Sequence, residues 1–223
     1  MTVFILASAS PARQTVLAAA GVDPVVRVAN LNEDKLIAGM AGSEPTKIVT
    51  ELAVAKARSV IRALGPELTA DAVVVACDSM LRLGKSLLGK PVTVERARLY
   101  WDQMAGRTGT LLTGHAVIRL TDGTATATAE GCESTHIRFG RPTEPELEAY
   151  LATGEPLQVA GACTIDGLGG WFIDGIEGDP SSVIGISLPL TRRLLAEVGL
   201  QVTDLWRTAS ESTTSERTSD DRL

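Results

Sequence analysis

The first twenty residues pass from a β-branched, apolar stretch at 3–7 through the polar turn SASPAR into an Ala- and Leu-rich segment stopped by Gly21. Strand, tight turn and helix in that order commit the chain to a βα unit. Pro11 falls where a first helical residue tolerates a missing N–H, so Ser10 is the natural N-cap of a helix over about 12–20, with Gly21 at C′. The free amides of the first turn, aided by the helix dipole, then point at whatever lies above the strand end. Phosphate is the obvious guest, and Arg13 adds a charged fork. Turns of this kind also occur in βα units that bind nothing, so the anion reading needs partners elsewhere in the chain.

The rest of the punctuation extends the α/β pattern. After a polar stretch around 30–34, a helix is expected over about 46–64, where Val49, Leu52, Ala53, Val60, Ile61 and Leu64 keep helical spacing until Gly65-Pro66. The run AVVVAC, 72–77, is apolar at every position, as in a parallel strand covered by helices on both faces, and it is expected to stop at Asp78. A further helix over about 94–105 precedes Gly106. Two β-type runs, 110–120 and 124–139, flank Asp122-Gly123, a strong hairpin signal. Thr143-Glu144-Pro145-Glu146 is a capping box, opening a helix that closes at Gly154. The Gly-rich stretch 160–180 reads as short strands and turns, and a last helix spans about 190–198. The expectation is one α/β domain over 1–206, a twisted mixed sheet flanked by helices, with a disordered tail over 207–223, which has no apolar residue between Ala209 and Leu223.

Composition narrows the function classes. A net charge of −6 and an aromatic content of 4% argue against nucleic acid as a partner, since no basic tract with interleaved aromatics occurs. The three cysteines, Cys77, Cys132 and Cys163, lack metal-site spacing and read as reduced, small core residues. FILASA resembles part of a signal peptide, but no basic residue precedes it and its apolar run is shorter than the roughly 7–15 residues such signals need. No stretch approaches the ~18 apolar residues of a membrane span. A soluble, cytoplasmic chain without membrane contact is expected.

In open α/β sheets, ligands collect outside the carboxyl ends of strands, where both SASPAR and Asp78 are expected to lie. Asp78 is therefore a candidate base or metal ligand, though a turn-forming role fits the same position. LRLGKSLLGKP contains G-x-x-x-x-G-K, but Pro91 follows Lys90 where a P-loop needs the hydroxyl and N–H of Ser or Thr, so the P-loop reading fails. What survives is Lys90, held between Gly89 and Pro91, as a phosphate contact. No Gly-x-Ser-x-Gly elbow exists, and His115 and His136 read as strand side chains. Acidic residues and a hard metal must carry any hydrolysis.

LASASPARQTVLAAAGV, ANLNED, ELAVAKA, VVACDS, LLGKP, AGRTGTLLTGHAV, EAYLATGEPLQVAGACTIDGLGG and EGDPSSVIGISLPL, in that order over 3–200, resemble the Maf proteins. The resemblance implies a two-lobed α/β fold with a nucleotide cleft between the lobes. It also implies a nucleoside triphosphate pyrophosphatase that releases a nucleoside monophosphate and pyrophosphate. By the same resemblance Asp78 is the proton acceptor that activates water, Glu33 and Asp78 hold Mg²⁺ or Mn²⁺, and Ser8, Ser10, Arg13, Lys56 and Lys90 line the triphosphate. Oxygen-only ligands suit those metals, and cations offset charge on the leaving pyrophosphate. A homodimer is common in the family.

The chain departs from the family where the base is chosen. Ala12 stands where an Arg or Trp is common, Ser79 where Thr or Gln is common, and Asp166 where Gln or Glu precedes GLGG. Neither a dTTP and UTP preference nor a 7-methyl-GTP preference carries over, and Ala12 points to a roomier base pocket, open to modified nucleotides in a house-cleaning role. The family is also known as septum formation inhibitors, so a nucleotide-binding regulator of cell division without turnover is the alternative from another class.

Overall fold

A computed structural model of the protein describes residues 2–206; the tail expected over 207–223 lies outside the described residues. In chain order the elements are β1 (Val3–Leu6), α1 (Pro11–Ala19), β2 (Val25–Val26), α2 (Glu33–Gly39), α3 (Pro45–Ile61), β3 (Asp71–Leu83) and β4 (Ser86–Leu88). Next come α4 (Val94–Met104), β5 (Thr108–Thr121), β6 (Thr124–Phe139), α5 (Glu144–Ala152), β7 (Ile173–Glu177), α6 (Pro180–Ile184) and α7 (Leu188–Glu197). They build a mixed sheet in the order β2-β1-β3-β5-β6-β7, with β4 added beside β3. β1 runs parallel to β2 and β3, and the other pairings are antiparallel.

Alternation along β3 explains its uninterrupted apolar run. Val73, Val75 and Cys77 pack with Leu17 of α1 and with Leu190, Leu194 and Leu195 of α7. The intervening Ala72, Val74 and Ala76 pack with Ala53, Val54, Ala57 and Val60 of α3 on the opposite face. Both faces are covered, as the run implied. The strand does not stop at Asp78, however. It continues to Leu83 because Leu81 and Leu83 enter a further cluster with Trp101, Phe139, Tyr150 and Leu151 while β5 pairs with β3 as far as Arg82. Trp101 centres that cluster, its Nε1 donating to the Ala162 carbonyl at 3.1 Å and its ring edge-on to Phe139, Tyr150 and Phe172.

The hairpin turns at Asp122-Gly123, both at positive φ, as a type I′ turn requires. Glu146 accepts the Thr143 N–H at 2.6 Å in the expected capping box. The Gly-rich stretch forms 3₁₀ turns and the single strand β7. Midway along the sheet, β3 loses its neighbour β1 after Val75 and gains β4 only at Leu81, which leaves a notch along residues 76–80. Among the described residues, no helix is long and apolar enough to cross a membrane.

Candidate active site

Asp78 sits in that notch, paired across the ladder with Gly114 of β5, rather than at a strand end. Gly114 lets α3 lie directly on the sheet, since a Cβ there would stand 2.2 Å from the Val49 carbonyl oxygen. Two helical turns beyond Val49, α3 delivers Lys56 to Asp78. Lys56 Nζ donates to Asp78 Oδ1 at 2.5 Å and pairs with Glu33 Oε1 at 3.0 Å. Glu33 opens α2, a helix whose Asn32 side chain accepts the Lys35 N–H as its N-cap and which buries no residue. α2 overlaps the polar stretch at its start and carries only the short apolar pair Leu36-Ile37, which is half-buried, so its sequence shows no helical periodicity. The Asp78 and Lys56 side chains are 8% and 14% exposed, that of Glu33 45%, so the ion pair is sheltered at one end and open at the other.

Asp78 Oδ2 is buried and has no hydrogen-bond partner. Leaving such an acceptor unsatisfied costs about 1–3 kcal/mol, and the fold tolerates it here beside the Lys56 ammonium. The oxygen retains acceptor capacity for a water or a cation.

The turn after β1 meets the same notch. Ser8, nearly buried, accepts the Ser10 N–H at 3.2 Å and an Arg13 Nη1 hydrogen at 2.9 Å. Ser10 occupies the N-cap position but its hydroxyl makes no capping bond, contrary to expectation, because Ser8 already folds the turn. Arg13 also donates from Nη2 to Ser79 Oγ at 3.2 Å and from Nε to the Gly185 carbonyl at 2.7 Å. Lys90 lies in the link between β4 and α4. Gly161 N–H to Gly89 O and Val92 N–H to Leu157 O anchor that link at 3.1 Å each. Desolvation, then repulsion from Arg13 and Lys56, holds the Lys90 ammonium below the usual lysine range, against the pull of Glu33 and Asp78. It therefore feels the whole charge cluster.

The structure thus gathers Ser8, Arg13, Lys56, Asp78, Ser79, Glu33 and Lys90. Ala12 is a half-buried residue of the first turn of α1. Asp166 stands apart: it accepts a hydrogen bond from the Thr164 hydroxyl in the turn after Ala162 and makes no bond to the Asp78 cluster. Sequence reasoning missed Gly114, Thr113 and Gly185, whose parts depend on pairing between distant segments. His115 is a buried strand residue, as expected, donating from Nδ1 to the Thr113 carbonyl and accepting the Ser187 N–H on Nε2. Burial pushes the thiols up, Cys77 and Cys132 to about 11 and Cys163 to about 12. Cys77 is the core residue expected, whereas Cys132 and Cys163 are half-buried.

The family model described as Maf-like protein matches residues 3–198. The chain belongs to the Maf family. Relatives within it include a protein of Rhodococcus opacus (strain B4), 59% identical over 94% of this chain and 98% of its own length. Another, from Nocardia farcinica (strain IFM 10152), is 59% identical over 91% of this chain and 96% of its own. A third, from Mycolicibacterium gilvum (strain PYR-GCK), is 56% identical over 92% and 99%. All three carry the name nucleoside triphosphate pyrophosphatase.

Proposed function

We propose that this Maf-family chain is a nucleoside triphosphate pyrophosphatase in which Asp78 takes a proton from water as that water attacks the α-phosphorus. The water oxygen bonds to the α-phosphorus, the bond from that phosphorus to the oxygen bridging to the β phosphate breaks, and nucleoside monophosphate and pyrophosphate leave. The observation that carries the reading is the Asp78 carboxylate: one oxygen held by Lys56, the other buried and without a partner. Lys56 holds Oδ1 and so fixes the carboxylate's orientation, which leaves Oδ2 as the oxygen that accepts the proton. Arg13, in its fork of three acceptors, and Lys90 supply positive charge where pyrophosphate charge develops. The α1 N-terminus adds its own partial charge.

The residues present fit a hard divalent cation. Asp78 Oδ2 is an oxygen donor without a partner and Glu33 offers a second carboxylate, while no group of three acidic, His or Cys side chains suited to a metal occurs among the described residues. Two carboxylates completed by phosphate oxygens and water are a typical Mg²⁺ environment, and Mn²⁺ accepts the same donors. Bound there, the ion supplies Lewis-acid polarisation of the phosphate. On this reading the triphosphate lies along the β3 notch, in a cleft between two lobes. Ala12 leaves room for a large or modified base beside it.

The test is a panel of ordinary and modified nucleoside triphosphates with Mg²⁺ or Mn²⁺, resolving pyrophosphate from orthophosphate. Pyrophosphate plus monophosphate is expected, with D78N reducing turnover by about 10²–10⁴-fold while still binding nucleotide. Release of orthophosphate, or unchanged turnover in D78N, overturns the mechanism; no product from any nucleotide favours a binding regulator.

A further inference from the structure

Arg13 is a half-buried arginine whose guanidinium pairs with no carboxylate among the described residues, so its direction rests on neutral acceptors from three separate elements. Two of the three trace back to one residue. Ser79 faces Thr113 directly across the β3–β5 ladder, and their hydroxyls lie 3.1 Å apart. The Thr113 hydroxyl also reaches the Ser182 carbonyl at 3.4 Å, in α6, which leads into the Gly185 turn. Thr113 itself is fully buried, and its carbonyl takes the Nδ1 hydrogen of His115, whose Nε2 accepts the Ser187 N–H from the far side of the same turn. Gly185 holds φ +126°, and a Cβ there would come 3.1 Å from Arg13 Nε. The turn is thus shaped around the arginine and tied to β5 on both sides of it.

We propose that Thr113 is a positioning residue that aims the Arg13 guanidinium, by fixing Ser79 on one side and the 182–187 turn on the other. The proposal rests on the reading that Arg13 contacts the triphosphate. It also assigns Ser79 to the phosphate side of the site: its hydroxyl is engaged by Arg13 and Thr113, which leaves it a poor reader of the base. A serine at this position has the reach to bridge arginine and threonine without filling the notch. Misaiming a charge that acts in the transition state lowers kcat more than it raises KM.

The experiment is a double-mutant cycle on steady-state kinetics, using the nucleoside triphosphate that the wild type turns over best. The variants are T113V, T113S, R13M and T113V/R13M, each checked for cooperative thermal unfolding. T113V is nearly isosteric, and is expected to lose about 10–100-fold, chiefly in kcat. T113S, which keeps the hydroxyl, is expected to recover most of it. In the R13M background, T113V should cost less than about twofold, because the group it aims is gone. An unaltered T113V, or an equal loss in both backgrounds, overturns the positioning role. R13M with undiminished kcat/KM refutes instead the reading of Arg13 itself. Should T113V fail to fold, S79A breaks the same link from its other end and takes its place in the cycle.

Discussion

Replacing Gly114 by alanine tests whether the site is assembled by the contact between α3 and β5. A Cβ on Gly114 would lie 2.2 Å from the Val49 carbonyl oxygen, 2.3 Å from its carbon and 2.5 Å from Thr50 N, all backbone atoms of α3. No side-chain rotation relieves that clash, so the helix must retreat by roughly 1 Å to restore ordinary contact. α3 is anchored by Val49, Leu52, Ala53, Val54, Ala57 and Val60, all buried, and the retreat loosens each. Overpacking of this kind costs about 1–3 kcal/mol, which for a chain of this size lowers Tm by about 4–8 °C at the middle of that range. Lys56 travels with the helix and leaves its 2.5 Å contact with Asp78, so kcat/KM should fall by up to about 100-fold, beyond what the stability loss explains. The assays are urea or thermal unfolding and kinetics well below Tm, with G39A as control, since a Cβ at Gly39 meets nothing within 4 Å. A G114A protein with Tm within about 1 °C of wild type, or with full activity, would refute the reasoning.

Two further outcomes are expected from one buried and one half-buried polar group away from Asp78. Burial lowers the His115 pKa from 6.5 to about 4, so the unfolded chain binds a proton that the folded one refuses between those values. The contribution is complete above pH 6.5 and falls away as pH drops toward 4, by an amount on the order of 3 kcal/mol; in H115Q the unfolding free energy should lose that part of its slope against pH, and an unchanged slope would count against the buried neutral ring. Glu155 accepts the N–H groups of Leu168 and Gly169 at 2.9 Å and the Tyr150 hydroxyl at 3.0 Å, so it pins the GLGG turn. E155A should destabilise the protein by about 1.5–3 kcal/mol in urea unfolding, and a shift below about 0.5 kcal/mol would show that the turn holds itself.

Local chemistry is readable wherever a few adjacent residues decide the outcome. Asp122-Gly123 places both positive-φ residues in a two-residue turn, Thr143 to Glu146 closes its own capping box, and Pro11 marks the first turn of α1. What escapes depends on distant partners. Asp78 ends the apolar run, yet β3 carries on because β5 supplies its ladder and the Trp101 cluster supplies burial for Leu81 and Leu83. α2 leaves no periodic trace because it buries nothing, and Glu33 is legible only through the family resemblance. Gly114 and Gly185 look like any glycines until Val49 and Arg13 are placed against them. The Maf resemblance itself, by contrast, rests on ordered motifs, and the family match over residues 3–198 agrees with it.

The notch in β3 divides the site by timescale. Asp78 lies on a strand that runs through three apolar clusters and is laddered to β5 along nearly its whole length, so its amide belongs to the unit that opens only with global unfolding. Glu33, across the same ion pair, starts a seven-residue helix with no buried side chain, which belongs among the segments that fray and reclose on their own. Hydrogen exchange should therefore run slow on one carboxylate's strand and fast on the other's helix. The wall that carries Asp78 is held by the core on both faces of its strand; the wall that carries Glu33 rests on a short helix that the core does not hold.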